Sequence, residues 1–188
     1  MTRAIAEPLE DRSQEAVTAK WLVNSARYLR FHKSHFESKS SPLIFGVLGK
    51  SKITDPLERA LRGKKLNAHP LEFRRFAFDA NGSLPIEKLA KCHMLFLADE
   101  CRGREQEIID GLNTSVVLSA AWDGFAKRGG VIEFFLEKDN TIGVRINRAA
   151  AKRARLKPRA DLLKIVEVVA EERPTPSDTT PPRTEEGE

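Results

Sequence analysis

Glycine beside lysine or arginine is the pattern with which backbone amides cradle phosphate, and two stretches of the chain with it stand out. GVLGKS (46–51) follows a short apolar run and ends in Gly-Lys-Ser. A phosphate loop of that kind needs a glycine five positions before Gly49, where Ile44 stands, and a helix that begins at once. Asp55-Pro56 marks the next helix start several residues later, so this stretch reads as a turn. The second instance, GFAKRGG (124–130), precedes a strand, whereas a dinucleotide loop follows one and opens a helix. Gly124, Gly129 and Gly130 are therefore expected to turn the chain into a hairpin.

Other reactive residue types are scattered. Asp99, Glu100 and Cys101 lie at the carboxyl end of the strand CHMLFLA (92–98), where open α/β sheets bind ligands. No serine sits in a GxSxG elbow, and nothing ties Cys101 to a general base, so no catalytic residue is assigned. His32, His35, His69 and His93 show no HxxxH spacing and the two cysteines no CxxC; neither a metal site nor a cofactor is expected. Cys92 and Cys101 flank that strand, which holds its ends about 20 Å apart, while a disulfide needs about 7 Å. Trp122 and Phe125 occupy the glycine loop beside Lys127 and Arg128. Such aromatics either plug the core or form a partner patch. With Arg145 on the hairpin, these four make the candidate partner-binding set.

Charge and length narrow the class. The chain has 188 residues, enough for one domain with a real core. Its net charge is +5, but the segment from Glu171 onward is −4, leaving +9 on residues 1–170. A basic body raises nucleic acid or anionic lipid as partners, and equally a solvated lysine-rich surface. No run approaches the roughly 18 apolar residues of a membrane helix, and the N-terminus shows no apolar signal segment.

The elements that must position these residues follow from periodicity. Ala19, Leu22, Val23, Ala26 and Leu29 predict a helix over about 11–35. LIFGVLG (43–49), LEFRRFAF (71–78), CHMLFLA and SVVLSA (115–120) read as strands. Between them run a helix from Asp55, as N-cap, to Gly63, a short helix in LPIEKLAK (84–91), and one over 102–112. VIEFFLE (131–137) and TIGVRIN (141–147) pair as a hairpin, Asn147 caps a helix through RAAAKRARL, and a last helix from Pro158 carries Leu162, Leu163, Val166 and Val169. The expected fold is three-layer α/β: a mostly parallel central sheet, helices on both faces and an antiparallel C-terminal hairpin at the edge. Residues 1–10 are expected to be a flexible N-terminus, 11–170 a single domain, and 171–188 a disordered tail rich in Pro, Thr and acid.

The order of these pieces carries a resemblance. VVLSAAWDGFAKRGGVIEFFLEKDNTIGVRINRAAAKRARLKPRADLLKIVEVV (116–169) resembles the C-terminal half of the YfiR-like periplasmic family: a strand, a GF…GG turn, a hairpin ending in Ile-Asn, an Ala-rich helix and a closing Leu-rich helix. FGVLGKSKITDPLERAL and KCHMLFLADE are similar to its first strand and its cysteine-led strand, so the resemblance spans about residues 16–169. It implies a non-enzymatic, often dimeric domain that binds the sensor region of a membrane diguanylate cyclase and represses it, restraining cyclic-di-GMP and biofilm. The matching positions are Gly124, Phe125, Gly129, Gly130, Ile146 and Asn147. Phe45 and Phe134 stand where the family's disulfide cysteines occur, and ARYLRFHKSHF lacks its aromatic-Trp-Pro turn. The implied location is the periplasm, with the signal peptide removed; a complete chain would be cytoplasmic. A homodimer and a small-molecule ligand at the strand ends are further expected partners. The alternative is a cytoplasmic basic α/β domain that binds nucleic acid or nucleotide, with Lys152, Arg153, Arg155, Lys157 and Arg159 on one exposed face; nucleic acid is the less expected partner.

Overall fold

A computed structural model describes residues 13–112 and 116–172. The expected flexible N-terminus (1–10) and the tail from 173 lie outside the described residues. In chain order the elements are α1 (Gln14–Tyr28), β1 (Leu29–Arg30), β2 (Leu43–Leu48), α2 (Thr54–Leu61), β3 (Lys65–Leu66), β4 (His69–Phe76), α3 (Ile86–Leu89) and β5 (Met94–Leu97). Then come α4 (Glu105–Leu112), β6 (Val117–Ala120), β7 (Ile132–Leu136), β8 (Ile142–Asn147), α5 (Arg148–Arg153), β9 (Lys157–Pro158), α6 (Ala160–Leu163) and β10 (Glu167–Val169).

Eight strands form one sheet in the order β10-β8-β7-β6-β5-β2-β4-β3, and β1 pairs with β9 apart from it. β4, β2, β5, β6 and β7 run parallel, while β8 returns antiparallel to β7. The fold is thus three-layer α/β, with the hairpin at one end of the sheet and the short β10 beside it. Alternation along the strands divides the core. Leu43, Phe45, Val47, Met94, Phe96, Ile132 and Phe134 face the layer that includes α1 and α2. Ile44, Leu48, Leu95, Leu97 and Leu118 face α4 and the 121–130 loop.

The departures from the expected spans are clearest at α1, α2 and the last helix. α1 is capped by Ser13, whose hydroxyl accepts from the Ala16 amide at 3.2 Å, but it stops at Tyr28. The Tyr28 carbonyl accepts the Arg159 amide at 2.8 Å and Leu29–Arg30 pair with β9, so tertiary pairing replaces the last turns. α2 starts at Thr54, and Asp55 bonds Arg75 at 3.0 Å instead of capping it. The expected last helix is short, and Glu167–Val169 leave it to pair with β8.

At the amino ends of β2 and β5, His93 holds the 31–42 segment to the sheet. Its Nδ1 accepts the Ile44 amide at 3.1 Å and its Nε2–H donates to the His35 carbonyl at 2.8 Å. Phe36 stacks on His93 at 4.7 Å and on His69 at 3.9 Å. Burial lowers the His93 pKa to about 4, against the His35 hydrogen bond, and nearby His35, His69 and Arg74 push the same way as burial.

Candidate functional site at the hairpin corner

The period of two puts Glu133, Arg145 and Asn147 on the sheet face opposite α1. The 121–130 loop covers that corner and satisfies these polar groups. The fully buried Glu133 accepts the Ala126 amide at 2.9 Å with one carboxylate oxygen and Arg145 at 2.7 Å with the other. Asn147, also fully buried, donates to the Ala126 carbonyl at 2.7 Å, and its Oδ1 accepts the Ala150 amide at 2.9 Å as the cap of α5. Loop, hairpin and helix are thereby tied through two side chains.

Arg145 is the hub of the corner. It bonds Glu133, Asp123 (2.9 Å) and Glu167 (2.9 Å), and its guanidinium lies 3.9 Å from the Phe135 ring centre. Burial lowers its pKa, but the hydrogen bonds to Glu133 and Glu167 outweigh that and hold it above the ordinary arginine value. Arg128 and the Trp122 indole N–H both reach the Glu105 carboxylate at 3.3 Å. Burial pushes the Glu105 carboxyl up, but backbone hydrogen bonds at Glu105 and Gly103, together with Arg128, win and hold it below the usual range.

Gly129 has φ +104, and Gly130 lies against the Phe125 ring, where a Cβ would come within 2.1 Å. Gly124, at φ +77, opens the loop. The Gly130 amide donates to the Phe125 carbonyl at 3.1 Å, so it closes the loop on itself.

Of the five partner-binding candidates, the structure brings Trp122, Arg128 and Arg145 into this corner together with Phe125. Phe125 is 0% and Trp122 4% exposed, edge to face at 5.3 Å, so both belong to the core. Lys127 and Arg128 are exposed, Lys127 pairing with Glu172 at 2.7 Å. Arg145 is 22% exposed. Glu133 and Glu105 escaped the sequence reading, although the alternation in VIEFFLE places Glu133 on the same face as Arg145 and Asn147.

The other glycine loop lies across the sheet. In chain order the parallel strands are arranged 2-1-3-4-5, so the topological switch point falls between β2 and β5. A cleft of about 520 Å³ opens there, lined by Lys50, Ser51, Lys52, Asp99, Trp122 and Phe135 among others. Gly49 has φ +89, and the Glu100 carboxylate accepts the Lys50 amide at 3.1 Å, the place a phosphate would need. Asp99 bonds Arg102 at 3.1 Å. Cys101 is buried and its thiol faces the Leu48 carbonyl at 3.7 Å; burial pushes both it and Cys92 up to about 12, which leaves neither a nucleophile. Among the described residues no group of three His, Cys, Asp or Glu could hold a metal ion, and no helix is long and apolar enough to cross a membrane.

The cations of the nucleic-acid alternative do not all share one face. Arg153 pairs with Glu171 and Arg159 with Asp161, while Arg155 lines the cavity beside Cys92 and His93. Lys152, Arg153 and Lys157 line a groove by β10.

A family described as YfiR/HmsC-like matches residues 15–167. No curated protein matches the chain. Among solved structures, a conserved domain protein from Vibrio cholerae O1 biovar El Tor aligns with TM-score 0.53 at 11% identity, covering 69% of this chain and 55% of its own. An ABC domain from Streptococcus pneumoniae, solved in complex with L-Trp, aligns with TM-score 0.53 at 11% identity, covering 80% of this chain and 62% of its own. At that identity both show a shared fold alone, and this chain spans less than two thirds of either.

Proposed function

Because the chain belongs to the YfiR/HmsC-like family, we propose that it is a periplasmic regulatory protein that binds the sensor region of a membrane diguanylate cyclase and holds that enzyme inactive. The observation that carries this reading is the family match over residues 15–167, which takes in the whole hairpin corner. The corner's own chemistry supports it. The motif residues Phe125, Gly130 and Asn147 are committed to internal contacts, so they build a rigid support for an exposed loop surface. Partner contact falls to Lys127 and Arg128, with Arg145 orienting Asp123 from beneath and Trp122 and Phe125 supporting the loop from the core. The buried thiols, and the engagement of Glu100 and Asp99 by neighbours, favour a binding role over an enzymatic one.

The mechanism is a population shift: the protein binds the inactive state of the sensor more tightly than the active state. Turning a 1:99 balance into 99:1 takes about a 10⁴-fold difference in affinity. A small regulator in the switch-point cleft would act by weakening that preference. Co-purification from envelope membranes tests the reading. Recovery of a membrane cyclase, with cyclic-di-GMP rising on deletion of this protein, is the expected result. Recovery of no membrane sensor, with cyclic-di-GMP unchanged, contradicts it.

A further inference from the structure

Leu136, Ile165 and Val168 are the large hydrophobics exposed among the described residues. Val168 lies in β10, the terminal strand of the sheet, with Ile165 two residues before it, and among the described residues β10 pairs with β8 alone. The other side offers its backbone N–H and C=O groups to any added strand. Beside it runs a groove lined by the apolar Leu163 and Val168 and by the basic Arg148, Lys152 and Lys157, among others.

The charge balance selects what fits there. Every acid along this stretch already has a partner: Glu167 bonds Arg145 at 2.9 Å, Glu171 bonds Arg153, and Glu172 bonds Lys127 at 2.7 Å. Arg148, Lys152 and Lys157 are exposed and make no ion pair among the described residues. The surface therefore combines an open backbone ladder, an apolar strip and uncompensated positive charge. We propose that the β10 edge takes an extended, acidic segment of another protein as an added strand, with its carboxylates on Arg148, Lys152 and Lys157 and its apolar side chains on Val168 and Leu163. Main-chain hydrogen bonds hold such a strand and the side-chain contacts select it.

Two other occupants fit less well. A second copy of this chain would bring two cationic rims together. The chain's own acidic tail carries Pro174, Pro176, Pro181 and Pro182, each lacking the N–H that a ladder needs. The inference concerns how a partner segment is gripped and does not depend on that partner being a cyclase.

The test uses the full chain and a synthetic peptide of alternating Glu and Val, followed by NMR to millimolar concentration at low salt. The expected result is saturable binding that perturbs the amides of residues 167–169. The triple variant Arg148→Glu, Lys152→Glu, Lys157→Glu melts like wild type and binds about tenfold or more weakly. A control peptide with proline at alternate positions and the same charge also loses about tenfold. Equal binding of the proline peptide, or unchanged binding by the triple variant, overturns the proposal. So does wild-type self-association that Val168→Lys abolishes. Binding to vesicles of anionic lipid that the triple variant loses, without peptide binding by the wild type, also overturns it.

Discussion

The two glycine loops, at 49–52 and 124–130, share a device and differ in where it sits. In each, a glutamate carboxylate accepts a loop amide: Glu100 that of Lys50 at 3.1 Å, and Glu133 that of Ala126 at 2.9 Å. Glu100 is exposed and holds the amide of Lys50, which lines the cleft, whereas Glu133 is fully buried and bound to Arg145. A carboxylate in water exchanges its hydrogen bond for one to solvent at little cost, whereas a buried one has no such alternative. The first loop is thus closed loosely beside a cleft, and the second is closed as part of the core. A basic glycine loop is a ligand cradle only when its amides are free, and here the protein's own acids take that role.

The largest effect expected from breaking this contrast is at Arg145. Arg145→Leu leaves Glu133 charged and unpaired in the core and should cost about 3–5 kcal/mol in urea unfolding. Arg145→Lys should retain part of that, since a point charge replaces a fork that bonds three acids.

A pH titration compares the corner with the opposite end of the sheet. The folded His93 pKa, about 4, lies below the ordinary 6.5, so the unfolded chain binds the extra proton. Stability from this group is full above pH 6.5 and falls as pH drops toward 4, by on the order of 3 kcal/mol. His93→Gln, which keeps a donor and an acceptor, should flatten the stability curve in that window.

Gly130→Ala sharpens the contrast from the packing side. Its Cβ meets the Phe125 ring, and the overpacking should cost about 1–3 kcal/mol by thermal unfolding. The smallest effect belongs to Glu100→Gln, an exposed change expected to stay within about 0.5 kcal/mol.

Much of the fold was legible because its signals are local. Apolar runs of strand length marked β2, β5 and β6, and Asn147 before RAAAK marked the cap of α5. β10 was hidden because Leu162, Leu163, Val166 and Val169 suit a helical stripe, while pairing with β8 decides for strand. The end of α1 was hidden for the same kind of reason, since β9 lies 128 residues along from β1 in the register Leu29 to Pro158 and Arg30 to Lys157. In the candidate site the turn glycines were read from position alone. Glu133 and Glu105 were passed over because a charged residue in a strand or at a helix start ordinarily faces water. Phe125 and Trp122 are placed in the core by contacts with Gly130 and Glu105 that only the folded chain assembles.

The central claim is that both glycine loops are closed by the protein's own carboxylates, which leaves the corner to serve as a scaffold. Backbone NMR of the full chain titrated with inorganic phosphate and with ATP tests it most directly. The account predicts no saturable shift at the amides of Lys50, Ala126 or Gly130. Saturable shifts centred on those amides would contradict it.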